Sequence, residues 1–412
     1  MYRSASFTNA STLNSRVMTD VLSAKPFGLS PDRQIRQSFF NRTDWPIPPT
    51  LLAKHVVRQN VRTMSNTLSK SGWNAWLRDR WHAGDLAPLI SLFALLAIFT
   101  VLVGPSNFLN FGTASLVLEQ GAVLAIVSVG LTFVLLTAEI DLAVGKIALL
   151  SACVCGVLFE QSFAAGPKGQ SEAVMSMLPL LAVLSIPFVI ALVIGWLAGA
   201  LTVTSRLPSF IITLAMMFVC EGLAKYLTKS EKFNMPSLLK KLGNDGLWLG
   251  GLSIPYSAML AVAVMLVGHV VLQHTRFGRY VYMTGGNREA ARLAGVRTPR
   301  IVIACLIISG LTAALGGLVN AGRLESVSLD QNTELLLEAV ACVVLGGTSL
   351  FGGEGSMPRT LIGVITFTVL KVGLNSVKIE GLTHFDLLRP FVMGVVLLIA
   401  LVINGRIARG RG

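Results

Sequence analysis

Apolar residues in this chain come in long unbroken runs, separated by short polar joints and preceded by a polar leader. Ten such runs lie near residues 86–104, 113–137, 144–160, 177–203, 208–228, 255–273, 301–320, 335–350, 358–376 and 387–404. A helix crosses a bilayer with roughly 17–25 mostly apolar residues. Inside lipid the backbone must satisfy its own polar groups, which leaves helices or closed barrels. Barrel strands alternate polar and apolar positions, and these runs do not alternate. The pattern predicts an all-α polytopic membrane protein with about ten transmembrane helices. The third and eighth runs are short and Gly-rich, so either is a candidate for a broken or re-entrant segment.

Composition agrees with a lipid-facing surface. The chain is 53% apolar and only 13% charged, with a mean hydropathy of +0.68. Soluble domains average about 45–50% and about 25%. The net charge of +13 raises nucleic acid as a partner, and its distribution argues against one. Basic residues gather in the leader, in the loop 274–300 and at the C-terminal tip, which is the positive-inside pattern of a membrane protein. With the N-terminus inside, the loop holding Arg276, Arg279, Arg288, Arg292, Arg297 and Arg300 falls inside after six crossings. Four crossings later so do Arg406, Arg409 and Arg411. Both termini are then cytoplasmic. Lys229, Lys232, Lys240 and Lys241 lie in an outside loop and run against the rule. Residues 1–85, with five prolines and many Ser, Thr, Asn and Arg, read as a mostly disordered cytoplasmic tail. A basic amphipathic stretch from Trp73 to Trp81 suits a membrane surface, and translation starting at Met18 or Met64 is an expectation that intact mass would test. Residues 86–405 read as one membrane domain. All five cysteines lie within runs, without metal spacing, and read as small apolar filler.

Three polar segments carry the candidate chemistry. The first, Thr137 to Lys146, sets Glu139 and Asp141 between two runs with almost no loop. Intramembrane acids are costly and face a cavity or a partner; Asp141 is also placed to cap the next helix. The second, Leu345 to Ser356, carries Gly346, Gly347, Gly352 and Gly353 around Thr348 and Ser349. It lacks the lysine of a phosphate loop, and Pro358 spoils a Gly-x-Gly-x-x-Gly match. Both segments follow an apolar run and precede a Gly-punctuated helix, a hint of an internal repeat. The third lies in loop 274–300, where Asn287 can cap a short helix from Arg288 to Leu293 that Gly295 ends. A solvated loop and a docking helix both fit it. For the remaining glycines, including Gly195 and Gly199, close helix packing is the expectation.

These three segments, with the weaker Arg206 to Leu214, resemble in order the motifs of permease subunits of bacterial ABC importers for simple sugars, the branch that includes the ribose, galactose, xylose and autoinducer-2 systems. The resemblance covers residues 86–405. It implies a paired permease, a homodimer or a heterodimer, in the bacterial inner membrane. It implies two cytoplasmic ATPase subunits and a periplasmic sugar-binding protein as partners. Asn287, Arg288, Glu289, Ala290, Ala291, Arg292 and Gly295 would form the coupling helix that meets the ATPase. Glu139, Asp141, Gly145, Gly346, Gly347, Thr348, Ser349, Gly352 and Gly353 would lie near the translocation path. The sequence departs from the family at Ala143, where Ser is usual, and at Leu336, where Glu is frequent, with Glu338 two residues on. No phosphate-loop motif is present: Gly145-Lys146 is followed by Ile147. The chain is therefore expected to be no enzyme and to bind no cofactor, with ATP and magnesium held on the partner ATPase. The alternatives are an ion-driven secondary transporter with Glu139 and Asp141 as proton carriers, an ABC permease for branched-chain amino acids or nucleosides, and an intramembrane hydrolase, for which the five histidines are badly placed.

Overall fold

The computed structural model describes residues 87–164, 177–377 and 390–399; the leader expected to be a cytoplasmic tail and the C-terminal tip lie outside the described residues. The fold is helical. In chain order the helices are α1 (Ala87–Val103), the single turn α2 (Pro105–Phe108), α3 (Phe111–Leu136), α4 (Val144–Ala164), α5 (Met177–Ser205), α6 (Ser209–Thr228), α7 (Ser237–Asn244), α8 (Tyr256–His274), α9 (Arg276–Gly286), α10 (Arg288–Leu293), α11 (Thr298–Arg323), α12 (Leu335–Leu345) and α13 (Met357–Ser376), followed by α14 (Pro390–Ile399).

Among the described residues, seven helices are long and apolar enough to cross a membrane: α3, α4, α5, α6, α8, α11 and α13. Three shorter apolar helices, within α1, α12 and α14, fall in the remaining predicted runs. The eighth run is indeed short, an 11-residue helix. The third is not: α4 has 21 residues, about 31 Å at 1.5 Å per residue. Its break precedes it, in the non-helical stretch 137–143. Glycine pointed to the wrong side of that break, because Gly145 and Gly156 serve close packing inside α4.

The long helix α11 is the hub, packed against α3, α4 and α5. Its crossing with α5 needs the Gly195/Gly199 pair. A Cβ on Gly195 would stand 2.7 Å from the Leu306 carbonyl oxygen, and one on Gly199 2.8 Å from the Ile303 Cα, so only glycine lets the backbones approach this closely. The most apolar windows of α3 and α4 are 78% buried and that of α6 only 17%. The first two line the centre, while α6 turns Phe210, Phe218 and Leu223 outward, as a lipid-facing helix must.

The two ends of the bundle differ. One end carries the short antiparallel pairs β1 (Phe233–Asn234) with β4 (Ser326–Val327) and β2 (Gly246–Leu249) with β3 (Leu252–Pro255). There Ser253 N–H donates to Ser115 Oγ near the start of α3, and α7 seats its buried Leu239 against Gly322 at the end of α11. The other end gathers the stretch 137–143, the joint between α5 and α6, helices α9 and α10, and the segment 346–356.

Candidate functional site

The first two of the three polar segments that stand out in the sequence begin with the same chain turn. At the end of α3, Ala138 N–H donates to Leu135 O (2.9 Å) and Glu139 N–H to Val134 O (3.2 Å). At the end of α12, Gly347 N–H donates to Val344 O (2.8 Å) and Thr348 N–H to Val343 O (3.2 Å). This nested pair of bonds is the Schellman termination, which needs a left-handed residue between them. Gly347 supplies it at φ 87°, and Ala138 supplies it at φ 60° without glycine's freedom. The repeat hinted at by the sequence thus has a shared local geometry.

Past their turns the two segments meet. Gly353 N–H donates to Leu136 O at 3.0 Å. Gly285 of α9 fits into the same junction, where a Cβ would lie 1.8 Å from Leu136 O and 2.7 Å from Gly353 N. A Cβ on Gly352 would lie 2.8 Å from that of Ala138. Backbone therefore touches backbone where all three motifs converge. Tyr282 of α9 adds a strut: its hydroxyl donates to Gly355 O (2.8 Å) and accepts from Gln273 Nε2 (3.2 Å). Burial pushes the pKa of this phenol above its usual range.

The stretch 137–143 is held on its other side by side chains of α6 and α11. Ile140 N–H donates to Ser209 Oγ (2.9 Å) and Leu142 N–H to Thr213 Oγ1 (3.0 Å). These hydroxyls do for Ile140 and Leu142 what a neighbouring strand would do. Asp141 is buried; its Oδ1 accepts from Ala143 N–H (3.0 Å) and its Oδ2 from the Ser309 hydroxyl (2.7 Å). It therefore stabilises the approach to α4 from three positions before its first residue, and not as the N-cap itself.

Glu139 points the other way, to Arg288 at the start of α10. Arg288 Nη2 lies 2.5 Å from Glu139 Oε1 and 3.4 Å from Thr137 O. The carboxylate is buried and the guanidinium about half exposed. Helix α10 forms as its sequence predicts: Asn287 Oδ1 accepts from Ala290 N–H at 2.9 Å, and Gly295 ends the helix at φ 84°. Ala291 anchors it at 2% exposure while Leu293 is 89% exposed. Glu289 and Arg292 pair with each other on its open face. Between α10, the α5–α6 joint and the start of α11 lies a cavity of about 760 Å³, with Arg206, Arg288, Arg292 and Glu139 on its walls.

Of the path residues inferred from sequence, Glu139, Asp141, Gly346, Gly347, Thr348, Ser349, Gly352 and Gly353 lie at or beside this junction. Thr348 is buried against Gly355, and its Oγ1 has no hydrogen-bond partner. Gly145 stands apart, in the first turn of α4 against Asn332 O and Leu336. Sequence reasoning missed Ser209, Thr213 and Ser309. The first two lie within Arg206 to Leu214, a motif seen but given no partner; Ser309 sits mid-helix and carries no local signal.

Comparison with known proteins agrees with the geometry. A family model described as "branched-chain amino acid transport system / permease component" matches residues 113–401. The ribose import permease protein of Escherichia coli K12 is 32% identical over 336 residues, covering 81% of this chain and 95% of its own. The autoinducer 2 import system permease protein of Photorhabdus luminescens is 30% identical over 324 residues, covering 78% and 90%. The fructose import permease protein of Rhizobium meliloti is 32% identical over 330 residues, covering 78% and 86%. No solved structure matches the chain.

Proposed function

This chain belongs to the permease-component family of ABC importers, in the branch that carries simple sugars, and from that premise we propose that it carries a monosaccharide across the inner membrane by alternating access. The observation that bears the reading is α10. It is a capped helix anchored by Ala291, open to solvent at Glu289, Arg292 and Leu293, and tied through Arg288 to the buried Glu139. A helix that offers charge and one apolar side chain outward while its neighbour grips the bundle suits docking to a soluble partner. In this reading the partner is one of two cytoplasmic ATPase subunits, which bind ATP and magnesium and drive a permease pair between two states. A periplasmic binding protein delivers the sugar to the opposite end, and both chain termini face the cytoplasm. The stretch 137–143 and the segment 346–356 would move with α9 and α10, since backbone contact at Gly285 and Gly353 leaves no slack between them. The pairing of Glu139 with Arg288 and of Asp141 with Ser309 supports positioning roles for these acids over proton carriage.

Uptake of labelled D-ribose, D-fructose, D-xylose and D-galactose, in cells carrying this chain with its ATPase and binding protein, tests the reading. Glu289→Lys or Arg292→Glu is expected to lower uptake with membrane insertion unchanged. Normal uptake by both variants defeats the docking role, and uptake that survives ATP depletion but collapses with an uncoupler defeats the ATP-driven mechanism.

A further inference from the structure

A second polar cavity lies at the opposite end of the bundle from α10. It has a volume of about 470 Å³ and is walled by α3, α11, the turn before α12, α12 and α13. Its size falls in the range of about 300–1,000 Å³ typical of small-molecule sites. None of the path residues inferred from sequence lines it.

The chemistry of its wall is specific. The two cations are already paired: Lys371 with Glu338, and Arg323 with Glu119 at 3.5 Å. What remains on the polar wall is a chain of amides beside the acids Asp330 and Glu334. Arg323 Nη2 donates to Asn320 Oδ1 (3.2 Å), and Asn320 Nδ2 donates to Asn332 Oδ1 (2.8 Å). There the chain stops. Asn332 is 8% exposed, and among the described residues its Nδ2 has no hydrogen-bond partner; neither has Arg323 Nε. Asn332 also sits at φ 62°, a left-handed conformation that Asn adopts more readily than most residues with a side chain. A buried donor without an acceptor is destabilising, and a ligand oxygen would remove that cost.

The missing acceptor has a definable character. With Lys371 and Arg323 paired to carboxylates and Asp330, Glu334 and Glu338 on the wall, the cavity disfavours an anion or the carboxylate of an amino acid. No aromatic side chain is among the lining residues, so a nucleobase finds no stacking platform. Amides that donate and accept and carboxylates that accept, beside the apolar patches of Val123 and Leu124, match the hydroxyls of a neutral polyol.

We propose that this cavity is a monosaccharide-binding station of the permease, in which Asn332, Asn320 and Gln120 bond sugar hydroxyls. The inference rests on the sugar reading above and adds to it a site on this chain. In the proposed orientation the station faces outward, where a binding protein delivers its sugar.

The test uses the full chain in lipid nanodiscs with Thr333→Cys as a reporter. Thr333 is an exposed residue of the cavity wall, while the cysteines Cys153, Cys155, Cys220, Cys305 and Cys342 are buried. Labelling by a charged thiol reagent is timed with D-ribose, D-fructose, D-xylose, D-galactose, L-leucine or adenosine present. At least one of these sugars should slow labelling, about tenfold when it stands at ten times its dissociation constant, by mass action. Adding Asn332→Asp, which keeps the side-chain shape and removes the donor, should abolish that protection. Asn332→Ala should do the same. Protection by none of the four sugars, protection unchanged in both Asn332 variants, or protection by leucine or adenosine alone overturns the proposal. The uptake assay separates its failure from that of the sugar reading: sugar uptake without protection sinks only the site, and absent sugar uptake sinks the reading beneath it.

Discussion

At the scale of single residues, the junction end is fixed by a few atoms whose removal has calculable effects. Gly285 cannot gain a side chain, because its Cβ would overlap the Leu136 carbonyl. Gly285→Ala should sharply reduce the folded yield, read as loss of the monodisperse peak in detergent size exclusion. Ala138 is the converse case, a residue with a side chain held in glycine's region at φ 60°. A left-handed residue costs about 1–2 kcal/mol, and glycine's greater freedom when unfolded returns part of that. Ala138→Gly should therefore raise stability by about 0.5–1 kcal/mol, seen as a higher melting temperature. Arg288→Ala leaves the buried Glu139 without its partner. The expected cost is about 1–3 kcal/mol, at the lower side because Arg288 is half in solvent. Adding Glu139→Gln to Arg288→Ala should recover much of that loss in thermal unfolding, since the uncompensated charge is then gone.

At the scale of elements, two helices carry separable roles. The crossing of α5 and α11 is structural: Gly199→Leu would drive a side chain into the Ile303 backbone and should lower the melting temperature. Helix α10 is an interface in the proposed function, and Leu293→Glu is its cleanest probe. Leu293 is almost wholly exposed, so the change should leave folding alone while weakening co-purification of the ATPase; unchanged co-purification would remove Leu293 from the docking surface. These elements were unequally legible. The cap and stop of α10 are local, so Asn287 and Gly295 announced it from sequence. The full length of α4 was not, because Gly145 and Gly156 read as breakers and in fact serve close packing.

At the scale of the whole molecule, the two ends define an axis. The junction end holds the three sequence motifs, and the other end holds the amide-lined cavity. In the proposed orientation a cysteine placed at the exposed Ala294 is labelled only from the cytoplasmic side, and Thr333→Cys only from outside. Labelling of both from one side would refute the parity that puts both termini inside. Helix α7 bears on the lysines that ran against the inside rule. Lys240 and Lys241 belong to a short helix seated on the end of α11, on the same end as the β pairs.

Hydrophobic length and continuity alone determined that the chain is helical and membrane-spanning, because lipid accepts a backbone only when each segment bonds itself. Motif order alone pointed to the family, since caps, turns and glycine pairs are short-range patterns. Tertiary structure decided what those motifs touch. That Leu136, Gly285 and Gly353 share one contact, that Ser209, Thr213 and Ser309 hold the stretch 137–143, and that Arg288 reaches Glu139 across 149 positions depend on helix packing. Residues far apart in sequence leave no periodic trace of such contacts. The amide chain from Arg323 to Asn332 was invisible for another reason, although its members lie within 12 positions of one another. Its members belong to no motif, and only folding brings them to the wall of one cavity.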